Sequence, residues 1–140
     1  MKSGSAHQPR RIAFLFNHDE LHQVAHIAPI ISALQRRAPG ASVEVITSSD
    51  RQGDAVRSFL DSTCPPPVFR SIRPPAWSRL AETLVGNMIP LSRLGSLRRN
   101  SDLFREYDAL VVPETTTTFL KKQGEATKPK LIFFPHGAGD

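Results

Sequence analysis

The sequence predicts an α/β domain in which about five parallel strands are covered by helices on both faces. Short continuous apolar runs recur along the chain. Between them lie segments with apolar residues at every third or fourth position, and polar turns separate the runs from these segments. A strand buried on both faces requires such an apolar run. Alternating strands and helices favour a parallel sheet with right-handed crossovers. We therefore expect a Rossmann-like sheet.

The first half of the chain contains two strand and helix units. Residues 12–16 form an apolar run that predicts the first strand, and residues 20–37 carry apolar side chains at helical spacing. Pro29 is expected to kink or loosen this helix, because proline removes one backbone donor. Residues 43–47 predict the second strand, and residues 51–60 a second helix.

The second half is predicted to complete the sheet. Residues 68–72 give a weaker strand signal, and residues 76–107 have a helical pattern broken by two glycines and a proline, so we expect two or three short helices. Residues 109–112 and 130–134 are apolar runs that predict two more buried strands. A short helix is expected between them, at residues 116–122.

Length and composition fit one soluble domain. The chain has 140 residues, of which 39% are hydrophobic and 22% charged. Residues 1–11 are polar and aperiodic, so we expect a disordered leader before a domain spanning residues 12–140. Cys64 has no second cysteine to pair with, which favours the reducing cytoplasm. No apolar run approaches the roughly 18 residues of a membrane span, so neither a signal peptide nor a transmembrane helix is predicted.

A net charge of +5 indicates an anionic partner, such as a phosphorylated substrate, a membrane surface or nucleic acid. The excess of positive charge lies in residues 70–105, which contain seven arginines and two acidic residues, Glu82 and Asp102. Apolar residues among these arginines predict a basic amphipathic helix that could lie on an anionic membrane surface. The alternative is an ordinary helix covering the sheet. Nucleic acid is not expected, because neither interleaved aromatic residues nor a recognition motif is present.

Ligands of parallel sheets gather at the carboxyl ends of the strands, here the turns after Phe16, Thr47, Val112 and Phe134. The first turn lacks the GxGxxG run with which dinucleotide-binding domains approach a pyrophosphate, so no nicotinamide or flavin cofactor is expected. Asp50 could mimic the ribose-binding acid of such domains. Without the glycines, it is better interpreted as a helix cap.

Three histidines, His18, His22 and His26, are spaced by four residues and would share one stripe of a helix. A metal is not expected, because Asp19 occupies the general-base position of the HExxH motif and no third ligand is evident. His18 and His22, nearest the strand end, are predicted to contact a substrate hydroxyl or phosphate. His26 is interpreted as a helix-surface residue.

Two later turns also carry candidate residues. Glu114, Thr115 and Thr116 follow the fourth strand, where a helix start with threonine hydroxyls favours an anion and Glu114 could orient an acceptor hydroxyl. The alternative is a threonine-capped helix with a solvated glutamate.

The last turn combines a histidine with flexible glycines. His136 can act as acid or base near neutral pH, while Gly137 and Gly139 allow a backbone to approach a ligand closely, followed by Asp140. A purely structural turn would also explain the glycines.

The turn at residues 18–22, the helix with Pro29 and above all the sequence FPHGAGD at residues 134–140 resemble the amino-terminal domain of glycosyltransferase-B enzymes. The most similar group is the CDP-glycerol glycerophosphotransferase-like family. The resemblance implies transfer of a glycosyl or glycerophosphoryl group from a nucleotide-activated donor to a polyol or glycan acceptor of the cell envelope. It places His136 beside the transferred group, with help from His18 or His22 and from Glu114, and no cofactor in this half.

In that family a second domain holds most of the nucleotide-binding residues, and this sequence does not contain it. The resemblance therefore implies a truncated or split transferase, inactive without a carboxyl-terminal domain or partner chain. A UDP-sugar 2-epimerase-like half domain is one alternative, although Ala138 and Gly139 before Asp140 depart from its usual spacing. A non-catalytic, flavodoxin-like binding module is another.

Overall fold

The computed structural model describes residues 8–17, 21–85, 91–113 and 129–134. Their elements follow the predicted order, and the helix expected at residues 116–122 lies outside the described residues. The strands are β1 (Arg11–Phe16), β2 (Ser42–Thr47), β3 (Val68–Ser71), β4 (Ala109–Val112) and β5 (Lys130–Phe133). The helices are α1 (Leu21–Arg37), α2 (Asp50–Phe59), α3 (Ala76–Val85), α4 (Leu91–Arg99) and α5 (Ser101–Arg105).

All five strands are parallel and lie in the order β3-β2-β1-β4-β5. The chain moves outward from β1 through β2 to β3, then returns across the sheet to β4 on the other side of β1. The direction of winding therefore reverses between β1 and β4, as in doubly wound nucleotide-binding folds. The predicted Rossmann-like α/β fold is confirmed.

Two apolar clusters cover the two faces of the sheet, because alternate residues of β1 point to opposite sides. The cluster with α1 and α2 contains Phe14, Phe16, Val24, Ile27, Ala28, Ile31, Val43, Val45, Val56 and Val111. The cluster with α4 and α5 contains Ala13, Leu15, Ile46, Ile72, Leu97, Phe104, Tyr107, Leu110 and Val112. Within the described ranges, no helix is long and apolar enough to cross a membrane.

Three of the predicted elements differ from the structure. β1 begins at Arg11, inside the segment expected to be a leader, and α1 continues through Pro29 without interruption. The expectation of a buried β5 is wrong, because β5 is the outermost of the described strands and Ile132, Phe133 and Phe134 are exposed. A run of apolar residues does not show whether a strand is central or at the edge of a sheet.

Glu44 is a buried carboxylate that joins three strands of the sheet. Its Oε1 accepts a hydrogen bond from Arg11 Nη2 (2.9 Å), and its Oε2 accepts from Arg70 Nε (2.6 Å) and Tyr107 Oη (2.8 Å). Burial acts to raise the pKa of Glu44, but these hydrogen bonds outweigh it and the pKa lies below its ordinary value. Burial and the bond to Glu44 raise the pKa of Tyr107. We call this group the Glu44 network.

Candidate functional site

A polar cavity of about 280 Å³ lies at the carboxyl ends of β1, β2 and β3. We call it the strand-end cavity. Its wall on the sheet side comes from the turns after these strands, and its opposite wall comes from α3 and α4. The lining residues are Asn17, Ser48, Ser49, Pro74, Glu82, Ser92, Arg93 and Ser96. This is the edge at which parallel α/β sheets bind their ligands.

The turn between β2 and α2 is fixed by side-chain hydrogen bonds. The backbone N–H and hydroxyl of Ser48 both donate to Gln52 Oε1, at 2.9 and 3.0 Å, and the Gln52 side chain is buried. Ser49 has an extended backbone, and its hydroxyl accepts from the Gln52 amide at 3.3 Å, so Ser49 is the N-cap of α2. The interpretation of Asp50 as the cap is therefore wrong, since Asp50 is the first helical residue and is exposed.

Asn17 connects the end of β1 to α4. Its side chain is buried, and its Nδ2 donates to the main-chain oxygen of Arg93 at 3.3 Å. Ser96, one turn further along α4, is also buried. Farther from the cavity, Gly95 lets α4 approach the start of α3, because an added Cβ would lie 3.1 Å from a ring carbon of Pro75. The α4 wall of the cavity is thus held against the sheet.

Glu82 links the two helices of the opposite wall. Its Oε1 accepts from the Ser92 amide at 2.8 Å and from the Ser92 hydroxyl at 2.6 Å. Ser92 is the second residue of α4, so its amide has no partner within the helix and Glu82 caps that helix from α3. The two bonds from Ser92 lower the pKa of Glu82, and the charge of Arg93 adds to the effect. Glu82 is therefore ionised at neutral pH and is a weak base.

The cavity combines groups that bind hydroxyls with one that binds an anion. Serine hydroxyls and the Glu82 carboxylate can pair with the hydroxyl groups of a ligand, while the guanidinium of Arg93 suits a phosphate or carboxylate. The first turn of α2 begins beside Ser49, where the helix dipole favours negative charge and the exposed carboxylate of Asp50 opposes it. No three His, Cys, Asp or Glu side chains are placed to hold a metal in the part of the chain that the structure describes.

His22 is the predicted site residue that falls within the described ranges. It is exposed in the first turn of α1 and does not line the strand-end cavity. His26 is exposed on the same helix, which confirms its interpretation as a surface residue. The other predicted site residues lie outside the described residues and stay predictions. They are His18, Glu114, Thr115, Thr116, His136, Gly137, Gly139 and Asp140.

Sequence reasoning located three of the eight residues that line the cavity and missed the other five. It selected the turns after Phe16 and Thr47, which supply Asn17, Ser48 and Ser49. It did not identify Glu82 or the α4 residues, because tertiary packing alone places α3 and α4 across the strand ends. One signal was present, since Glu82 is the single acidic residue between positions 71 and 101.

Comparison of the chain with protein families, with curated proteins and with solved structures finds no match. The fold and the strand-end cavity are therefore the observations from which a function can be proposed. The resemblance to the CDP-glycerol glycerophosphotransferase-like family stays a prediction.

Proposed function

We propose that the strand-end cavity binds a phosphorylated, hydroxyl-rich small molecule, and that the chain is the acceptor-side domain of a glycosyl or glycerophosphoryl transferase. The observation that carries the proposal is the position of a polar, arginine-containing cavity at the carboxyl ends of a Rossmann-like sheet. Such a domain needs to hold an acceptor or its phosphate while a second domain presents the activated donor.

The lining groups favour a sugar phosphate or polyol phosphate. A phosphate would pair with Arg93 beside the start of α2, since the guanidinium donors and the positive end of the helix dipole both suit phosphate oxygens. Hydroxyl groups would pair with Glu82, which is ionised and accepts hydrogen bonds, and with Ser49. The volume of about 280 Å³ suits a ligand of the size of a phosphorylated triose or small polyol.

The transferase step belongs to the same proposal. An acceptor hydroxyl would attack the anomeric carbon or phosphorus of a nucleotide-activated donor, and the nucleotide would leave with the bonding electron pair. His136 would accept the proton of the attacking hydroxyl, and His18 and Glu114 would position the acceptor. The donor would be held by a carboxyl-terminal domain or partner chain. The lone Cys64 favours the cytoplasm as the compartment of this reaction.

Calorimetric titration with glycerol 3-phosphate tests the binding half of the proposal. We expect binding to the full chain, and we expect Arg93→Gln to weaken it about 10- to 100-fold, the usual worth of a charge-assisted phosphate contact. Arg37→Gln is the matched control, because Arg37 is exposed in the last turn of α1, away from the cavity. Absence of binding, or equal weakening in both variants, would refute the proposal.

A non-catalytic binding module is the second candidate. Among the described residues, Glu82 is the carboxylate of the cavity, and its lowered pKa makes it a poor proton acceptor. Enzyme turnover distinguishes the candidates. It is measured with the chain mixed with the protein that the adjoining reading frame encodes, which would supply the donor-binding domain. Consumption of CDP-glycerol supports the transferase, and conversion of a UDP-sugar supports the epimerase-like alternative. Retained ligand binding without either reaction supports the module.

A further inference from the structure

Helix α3 carries its apolar stripe on the outside of the molecule. Trp77, Leu80 and Leu84 lie three and four residues apart, and their exposed fractions are 62%, 67% and 81%. The opposite side of the helix is polar, with Ser78 fully buried and Glu82 lining the strand-end cavity. Amphipathic helices normally turn the apolar face towards the core. This helix does the reverse, so its apolar stripe requires another explanation.

The stripe continues into an apolar groove between α3 and α4. The groove has a volume of about 500 Å³, and Trp77 forms part of its wall. Its lining residues are Pro75, Trp77, Leu91, Leu94, Gly95, Arg98 and Arg99. Most protein surfaces expose apolar residues singly, whereas here an apolar stripe and an apolar groove are continuous. Continuous apolar patches of this kind mark interaction sites.

Exposed arginines lie beside the groove end of this apolar surface. Arg73, Arg98 and Arg99 are exposed, and none forms an ion pair with a carboxylate in the described ranges. Arg73 and Arg99 also share a second cavity of about 610 Å³ beside the groove. Glu82 is the single acid between positions 71 and 101, and its carboxylate is bound to Ser92. The surface therefore combines apolar side chains with uncompensated positive charge.

We propose that this surface docks on an anionic lipid bilayer. Its apolar side chains would enter the interfacial layer, where tryptophan is favoured, and its arginines would contact lipid phosphates. A second copy of the chain fits less well, because a two-fold interface would press the same positive surface against itself. The inference does not depend on the proposed transferase activity. The docking surface consists of Arg73, Trp77, Leu80, Leu84, Arg98 and Arg99.

Trp77 is the single tryptophan of the chain, so its fluorescence reports directly on this surface. We expect vesicles containing phosphatidylglycerol to shift the emission of the full chain to shorter wavelength, and brominated acyl chains to quench it. Vesicles of phosphatidylcholine alone should give a much smaller change. Added salt should weaken the binding, because it screens the attraction between arginine and lipid phosphate.

Two double variants, both of which keep Trp77, test the electrostatic and the apolar contribution to lipid binding separately. Arg98→Gln with Arg99→Gln should weaken binding about 30-fold, from the usual effect of each arginine near an anionic surface. Arg37→Gln with Arg51→Gln is the control, because it removes the same charge from exposed positions outside the docking surface. Leu80→Ser with Leu84→Ser should reduce both the wavelength shift and the quenching.

Three results would overturn the proposal. The first is an unchanged emission spectrum with phosphatidylglycerol vesicles. The second is equal weakening by the two arginine pairs, which would mean that net charge alone drives the binding. The third is self-association that Leu80→Ser with Leu84→Ser abolishes, combined with no vesicle binding, which would assign the surface to a second copy of the chain. Circular dichroism of each variant should match that of the wild type, because the substituted positions are exposed.

Discussion

Glu44→Gln removes the charge at the centre of the Glu44 network and leaves the shape of the side chain nearly unchanged. The hydrogen bond from buried Tyr107 to a carboxylate is worth about 1.5 kcal/mol. Arg11 and Arg70 are 32% and 42% exposed, so each ion pair contributes about 0.5 kcal/mol. The expected loss of unfolding free energy is about 2–3 kcal/mol, which lowers Tm by roughly 6–10 °C for a domain of this size.

Urea denaturation followed by circular dichroism measures this loss at neutral pH. Glu106→Gln is the matched control, because Glu106 also pairs with Arg11 but is half exposed, and it should cost less than about 0.5 kcal/mol. A loss below about 0.5 kcal/mol in Glu44→Gln would refute the reasoning.

The difference in stability between the wild type and Glu44→Gln should depend on pH. The folded-state pKa of Glu44 lies below its ordinary value of 4.5, so its stabilising contribution is present above that value and is lost as the pH falls through the folded-state pKa. The difference in unfolding free energy between wild type and Glu44→Gln should therefore be constant near neutrality and shrink in acid. A difference that persists in strong acid would contradict this origin.

Three further substitutions test the walls of the strand-end cavity. Ser49→Ala removes the N-cap of α2 and should cost about 1 kcal/mol by urea denaturation, whereas Ser49→Asp should restore most of it. Gly95→Val places a branched side chain where even a Cβ lies 3.1 Å from Pro75, so thermal denaturation should show a loss of about 2 kcal/mol; an unchanged Tm would mean that α3 moves away freely. Glu82→Ala removes the acceptor of the Ser92 amide, whose hydrogen exchange should accelerate about tenfold, and unchanged protection would disprove the capping role.

The elements of the fold were predictable because each depends on local pattern. Apolar runs located all five strands, and helical spacing located α1 within one residue of its observed start. The outer position of β5 among the described strands was not predictable, since strand order is a long-range property. The apolar residues at 130–134 resemble those of a central strand. The cap was assigned to Asp50 in place of its neighbour Ser49, because serine and aspartate are nearly equal as caps and stand side by side here.

The candidate site was predictable where it depends on strand ends and unpredictable where it depends on packing. Topology directs ligands to the carboxyl ends of the parallel strands, and the turns after β1 and β2 are two of these ends. The placement of α3 depends on the close approach at Gly95 and on the Glu82 to Ser92 bonds, and neither has a periodic signature. For the same reason, the pattern of residues 76–85 predicted an amphipathic helix without showing that its apolar side faces outward.

Two-dimensional ¹H–¹⁵N NMR during titration with glycerol 3-phosphate tests the central claim most directly, because it shows where a phosphorylated polyol binds. We expect saturable shifts at the amides of Ser48, Ser49, Ser92 and Arg93, which surround the strand-end cavity. Saturable shifts confined to the docking surface, or no shifts at all, would contradict the assignment of the strand-end cavity as the ligand site.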